Sequence, residues 1–210
     1  MRRPQCSCCS TLPHPGRTDV PGLYRAFSGR CIPTDLTLFD PPGLPRQPPT
    51  TADLPAFVAQ QDVFYVGGGN TVHLLALWRA HGLDRLLADA WRGGAILCGI
   101  SAGMICWFEA SVTDSFGVGL APLPDGLGLL PGSACPHYDG ESERRPRFHR
   151  ALLDGLPGGY AADDGVALHF IGSELAEAVS SRPSARAYRV EVREGRVSEE
   201  VLRTRFLGAA

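Results

Sequence analysis

Two short apolar runs, each halted by small residues and followed by a helical pattern, constrain this chain more than any other feature. The first is DVFYV (62–66), which stops at GGGNT, and the second is AILCGI (95–100), which stops at Ser-Ala-Gly. Between them Val72, Leu74, Leu75, Leu77 and Trp78 form an apolar helical stripe, with Gly82 placed to end it. Leu83, Leu86, Leu87, Ala90 and Trp91 then recur at three and four residues as far as Gly93-Gly94. Strand, helix and strand in this order predict a parallel sheet covered by helices.

The rest of the chain extends the pattern. CIPTDLTLFD (31–40) alternates apolar residues at a two-residue period and reads as a strand, and PPGLPRQPPTT reads as a proline-rich loop. Asp53 opens a short helix through Leu54, Phe57 and Val58 to about Gln60, and AGMICWF reads as a helix. YAADDGVALHF, LAEAVSS and AYRVEVREG carry strand patterns. The expectation is an α/β fold, a mostly parallel sheet with helices on both faces, forming one domain over 23–210. Residues 1–22 are weakly patterned.

Composition narrows the chemistry. The chain has 210 residues and a formal charge of −2, which gives no electrostatic footprint for nucleic acid or an anionic membrane. No apolar run approaches the ~20 residues of a membrane-spanning helix, and MRRPQCSCCSTLP lacks the apolar region of a signal peptide. A cytoplasmic protein is expected. Every cationic side chain is arginine, so the P-loop lysine, a lysine Schiff base and a Ser-Lys pair are all ruled out. The seven cysteines include no second ligand cluster at zinc spacing, so neither a metal site nor a disulfide framework is expected, and no cofactor is implied.

The second junction carries the sharper signal. In GAILCGISAGMICWF, Ser101 sits on the turn with Gly99 two residues before it and Gly103 two after, the G-x-S-x-G spacing of a nucleophile elbow. Strand and helix approach so closely there that β-carbons at 99 and 103 would clash, while the serine hydroxyl is lifted above the sheet. The Ala102 N–H is then a natural oxyanion donor. The plain alternative is a tight packing turn. In the GGGN turn, Gly68 or Gly69 could supply a second donor and Asn70 suits a helix cap.

A serine nucleophile needs a base and an orienting acid. Of the six histidines, His137 in SACPHYDGE lies in a loop after an apolar stretch, a suitable place for a catalytic imidazole. His73 and His81 suit surface or capping roles, His149 a solvated helix surface, and His169 a strand, while His14 lies in an unpatterned segment. Asp114, Asp139, Glu141, Asp163 and Asp164 compete for the acid. Asp114 alone gives the order serine, acid, histidine.

DVFYVGGGNTVHLL, GISAGMICWFEASVTDSFG and CPHYDGE, in that order, resemble the peptidase E family of serine peptidases, the α-aspartyl dipeptidases. The resemblance covers roughly residues 23–207 and implies a fold similar to class I glutamine amidotransferases, with serine at the elbow. It implies Ser101 as nucleophile, His137 as base and Asp114 as acid, with Ala102 and Gly68 or Gly69 at the oxyanion. It also implies an N-terminal aspartyl substrate, with Arg144 in GESERRPRF to bind its carboxylate, unless Arg144, Arg145 and Arg147 are simply a solvated charge run.

The family pattern begins with a strand ending in glycines, then a second strand. QCSCCSTLPHPGRTDVPGLYRAF resembles a degraded form of the second, and the first has no counterpart, so the N-terminal strand is expected to be missing. The expected activity is a metal-free serine exopeptidase cleaving after an N-terminal aspartyl residue, with a small peptide as partner and homo-oligomerisation open. The alternative is a truncated, non-catalytic relative that binds a small acidic ligand or partner.

Overall fold

The computed structural model describes residues 3–9, 20–36, 53–117 and 119–208. The proline-rich loop, His14 and the part of the 31–40 segment beyond Leu36 lie outside them. The chain divides into two compact units, Met1–Met104 and Ile105–Ala210.

The first unit is a parallel sheet with helical crossovers. Its elements are β1 (Gln5–Cys9), α1 (Val20–Ser28), β2 (Ile32–Leu36), α2 (Leu54–Val58), β3 (Val63–Val66), α3 (Thr71–His81), α4 (Leu83–Arg92) and β4 (Ile96–Gly99). The strand order is β2-β1-β3-β4, with every pairing parallel. QCSCC, the unit read as a degraded second strand, is therefore an interior strand between β2 and β3. Phe64 and Val66 are fully buried, as are Leu54, Leu83 and Leu87 from the helices.

The helix boundaries follow from local chemistry. Asn70 accepts the His73 N–H at 2.8 Å and so caps α3. Gly82 ends it in the left-handed region at φ 69°. Both roles were legible in sequence.

After β4 comes α5 (Ala102–Ile105), a single turn. The longer helix expected over AGMICWF is not formed. Cys106, Trp107 and Phe108 are buried, and at Phe108 the chain enters β5 (Phe108–Thr113). An apolar run this short fits a buried strand as well as a helix, and tertiary pairing decides.

The second unit continues with β6 (Ala121–Leu123), β7 (Leu130–Cys135), α6 (Arg144–Leu153), β8 (Gly159–Ala162), β9 (Val166–Ile171), β10 (Glu174–Ser180), β11 (Ala187–Arg193), β12 (Arg196–Leu202) and β13 (Thr204–Phe206). Six strands form a mixed sheet in the order β12-β11-β8-β7-β5-β6, parallel at β5–β7 and β7–β8. A smaller sheet has the order β13-β10-β9. Phe148, Ala151 and Leu152 of α6 pack with Val112, Cys135, Ala161 and Val190 from the large sheet, and Tyr138 joins them. That core anchors the C-terminal end of β7, where the histidine loop begins. Among the described residues no helix is long and apolar enough to cross a membrane.

Candidate active site

In the first unit the elbow has the geometry its spacing demands. Ser101 adopts φ 56°, a left-handed backbone that an L-residue enters only at a cost of about 1–3 kcal/mol. A β-carbon on Gly99 would lie 2.6 Å from the Val66 carbonyl oxygen and would also run into the Gly103 carbonyl. One on Gly103 would collide with the same Val66 carbonyl. Backbone atoms cannot swing aside as a flexible side chain does, so both positions require glycine. The Gly103 N–H donates to the Ile100 carbonyl and the Met104 N–H to the Ser101 carbonyl, each at 2.9 Å, closing the turn. Ala102 is buried and begins α5, so its N–H is the first of that turn.

The GGGN turn lies against this serine. A β-carbon at Gly68 would sit 3.3 Å from Ser101 Cβ and 3.8 Å from its Oγ. Gly69 has φ 138°, open to glycine alone. Cys98, on β4 beneath the elbow, donates its thiol hydrogen to the Phe64 carbonyl, and burial pushes its pKa up to about 11. It is a packing group and stays protonated.

In the second unit His137 is held just after β7. It too has a left-handed backbone, φ 55°, and its carbonyl accepts the Glu141 N–H at 3.2 Å. Among the described residues Ser101, His137 and Glu194 are the non-glycine positions with positive φ, and Glu194 belongs to the turn joining β11 to β12. Local strain is therefore concentrated on the two residues that the motifs single out.

The imidazole Nδ1 lies 2.6 Å from Oδ1 of Asp164, in the turn between β8 and β9. With Nδ1–H donating to the carboxylate, Nε2 is left as the acceptor that a general base uses. The acid bonded to His137 is thus Asp164, one of the competing carboxylates, and not Asp114. Asp114 is exposed at the end of β5, where its carbonyl accepts the Gly117 N–H. Its position between serine and histidine in sequence does not bring it to the imidazole's Nδ1, because the β8–β9 turn already occupies that place.

Gly140 completes the fit, since a β-carbon there would collide with Asp164 Oδ2. Asp163, one residue earlier, is buried. Its pKa is raised by desolvation, while its Oδ2 accepts the Arg186 N–H at 2.8 Å.

Arg144 is not part of a solvated run. It is 4% exposed at the start of α6, with Nε donating to Glu141 at 2.7 Å and Nη1 to the Val112 carbonyl at 3.4 Å. Arg147 does fit the solvated picture, at 59% side-chain exposure. Arg145 lies over the rings of Tyr138 and Tyr188 and pairs with Glu199. His149, expected on a solvated face, instead donates from Nε2 to Tyr138 Oη at 2.8 Å, and Tyr138 donates to Glu199 at 2.6 Å. Glu199 of β12 draws the ring inward, a long-range partner that helical periodicity does not reveal. His169 lies on β9, the strand expected for it, with its side chain exposed and near Glu177. His73 is exposed on α3. Among the described residues no group of three or more His, Cys, Asp or Glu side chains could hold a metal ion.

Residues 34–178 match the model of peptidase family S51. An uncharacterised peptidase, YgaJ, of Bacillus subtilis is 50% identical over 190 residues, covering 89% of this chain and 77% of that protein. Peptidase E of Pasteurella multocida is 28% identical over 126 residues, and the match spans only 54% of its length. Among solved structures, a Listeria monocytogenes protein provisionally assigned as a peptidase E superposes with a TM-score of 0.55 at 16% identity. That match covers 95% of this chain and 87% of the other, and it shows the shared fold.

Proposed function

The chain belongs to peptidase family S51, and from that premise we propose that it is a serine exopeptidase that cleaves after an N-terminal aspartyl residue. The observation that carries this reading is the strained Ser101 on a turn whose flanking glycines have no room for a β-carbon. Strain that packing must sustain is a costly way to hold a serine unless its hydroxyl has work to do.

In this reading Ser101 Oγ attacks the scissile carbonyl and its proton passes to Nε2 of His137. Asp164 holds the Nδ1–H and stabilises the imidazolium that forms. The N–H groups of Ala102 and of Gly68 or Gly69 receive the oxyanion. The imidazolium returns its proton to the leaving amine, and water then releases the acyl group by the same route. No metal or cofactor is invoked. Arg144 is assigned as the cation for the aspartyl carboxylate on the family resemblance, with Glu141 and the Val112 carbonyl holding its guanidinium in place.

Purified protein assayed on a panel of Asp-X, Asn-X and Ala-X dipeptides tests the reading. Asp-X turnover is expected, abolished by Ser101→Ala with the fold retained, and a fluorophosphonate probe should label Ser101. Arg144→Gln should raise KM for Asp-X more than for Asn-X. Folded protein that neither reacts with the probe nor turns over any dipeptide would make the chain a non-catalytic binder.

A further inference from the structure

The turn that carries Asp164 is gripped from two sides by groups that the proposed reaction does not use. Its N–H donates to Asp139 Oδ1 at 2.8 Å. Its carbonyl accepts Nη1 of Arg182 at 2.9 Å, and the same Nη1 lies 2.9 Å from Asp139 Oδ2. One guanidinium nitrogen therefore ties the carboxylate of the histidine loop to the backbone of the acid's own turn.

Arg182 is itself fixed at the end of β10. Its N–H donates to the Ser180 hydroxyl at 2.9 Å, and that hydroxyl donates to the Arg182 carbonyl at 2.7 Å. Ser180 is buried, and its carbonyl accepts the Leu207 N–H at 2.8 Å. Alongside, the Ser181 N–H donates to the Gly165 carbonyl, the Asp163 N–H donates to the Arg186 carbonyl, and the Arg186 N–H donates to the Asp163 carboxylate. The backbone that carries Arg182 is thus fixed at the strand end, while its side chain, 46% exposed, crosses the surface to Asp139.

We propose that Arg182 and Asp139 are positioning residues, locking the Asp164 turn to the His137 loop so that the carboxylate stays on Nδ1. The inference rests on the catalytic reading of His137 and Asp164 given above. Two further observations accord with it. Burial alone would raise the pKa of Asp139, yet the Asp164 N–H and Arg182 bring it below the usual range, so its carboxylate is charged whenever the enzyme works. Two further carboxylates lie in or beside this region, Asp163, buried and bonded to the Arg186 N–H, and Glu141, paired with Arg144. Neither of them bonds the Asp164 backbone.

Because a single nitrogen makes both contacts, a lysine ammonium, with three donors, can replace it. That separates positioning from guanidinium stacking or bulk. The test is proton NMR of protein labelled with ¹⁵N-histidine, in which the low-field Nδ1–H of His137 is assigned by its loss in His137→Gln. Arg182→Ala should broaden or displace that resonance and lower kcat on the order of 10-fold with KM little changed, the signature of a misaligned group. Arg182→Lys should restore both. Asp139→Asn, which keeps an oxygen for the Asp164 N–H but loses the charge, should give the same signature more weakly and guards against an unfolded alanine variant.

A wild-type-like resonance and kcat in folded Arg182→Ala and Asp139→Asn would overturn the proposal, even if both lose thermal stability. Should the wild-type protein cleave no dipeptide, the peptidase reading fails by itself, and the resonance still decides whether Arg182 sets the His137–Asp164 geometry.

Discussion

Nδ1 of His137 and Oδ1 of Asp164 lie 2.6 Å apart, although 27 residues separate them in the chain. A carboxylate in that place fixes the tautomer that makes Nε2 a base. Asp164→Asn can turn its amide nitrogen toward the ring and favour the wrong tautomer, so kcat/KM should fall on the order of 10²-fold or more. Asp114→Asn, at an exposed position, should stay within about twofold of the wild type. Steady-state kinetics on an Asp-X dipeptide separates the two, and the reverse ranking would return the acid's role to Asp114.

The elbow makes a stability prediction that does not depend on any substrate. Gly103→Ala places a β-carbon against the Val66 carbonyl, and Gly99→Ala places one against the carbonyls of Val66 and Gly103. Each should cost about 3 kcal/mol, at the upper end of what overpacking a core costs. Gly67→Ala is the control, because nothing lies within 4 Å of a β-carbon there. Urea unfolding curves should show a lowered midpoint for the first two variants only. An unmoved midpoint in Gly103→Ala would mean that β3 and the elbow turn are not in tight contact.

What could be read from the sequence was whatever is decided within a few residues. The Ser101 turn is a local steric problem with glycine as its answer, and Asn70 and Gly82 mark the ends of α3 by capping chemistry alone. β1 was harder to see, because QCSCC carries few large apolar residues and its strand identity comes from pairing on both sides with β2 and β3. The partner of His137 was hidden for a deeper reason. Asp163 and Asp164 are adjacent and chemically alike, yet one is buried against the Arg186 N–H and the other meets the imidazole. The pairing of β8 with β7 on one side and with β11 on the other decides which, and both partners lie far from the aspartates in sequence. Arg144 poses the same problem, since three arginines in four residues look alike until α6 packs and buries one of them.

Thiol chemistry distinguishes this elbow from one built on cysteine. Cys98 stands three residues before Ser101, and burial pushes its pKa up to about 11; Cys135, at the end of β7, is pushed up to about 12 by burial. Both are overwhelmingly protonated at neutral pH, and the thiolate is the reactive species. Iodoacetamide at pH 7.5 should leave both unmodified in the folded protein and alkylate them after denaturation, as read by peptide mass spectrometry. Peptidase activity should survive the treatment, whereas loss of activity coinciding with alkylation of Cys98 would place the nucleophile on sulfur.

Two neighbouring carboxylates should shape acid stability in opposite directions. Asp139 has a folded-state pKa below its ordinary value, which is about 3.9, because the Asp164 N–H and Arg182 outweigh its desolvation. Its contribution is therefore fully present above that ordinary value and disappears as the pH falls through the lower folded one. Asp163 is raised, chiefly by desolvation. Protonating it relieves the buried charge, so its contribution is present below the ordinary value and is lost as the pH rises through the higher folded one. Urea midpoints between pH 2.5 and 7 can resolve the pair. Asp139→Asn should lie below the wild type at pH 6 and converge on it below pH 4, whereas Asp163→Asn should gain on the wild type as the pH rises from 4 to 7. Parallel curves for Asp139→Asn and wild type across the whole range would mean that the Asp139–Arg182 pair contributes nothing to the charge state of the histidine loop.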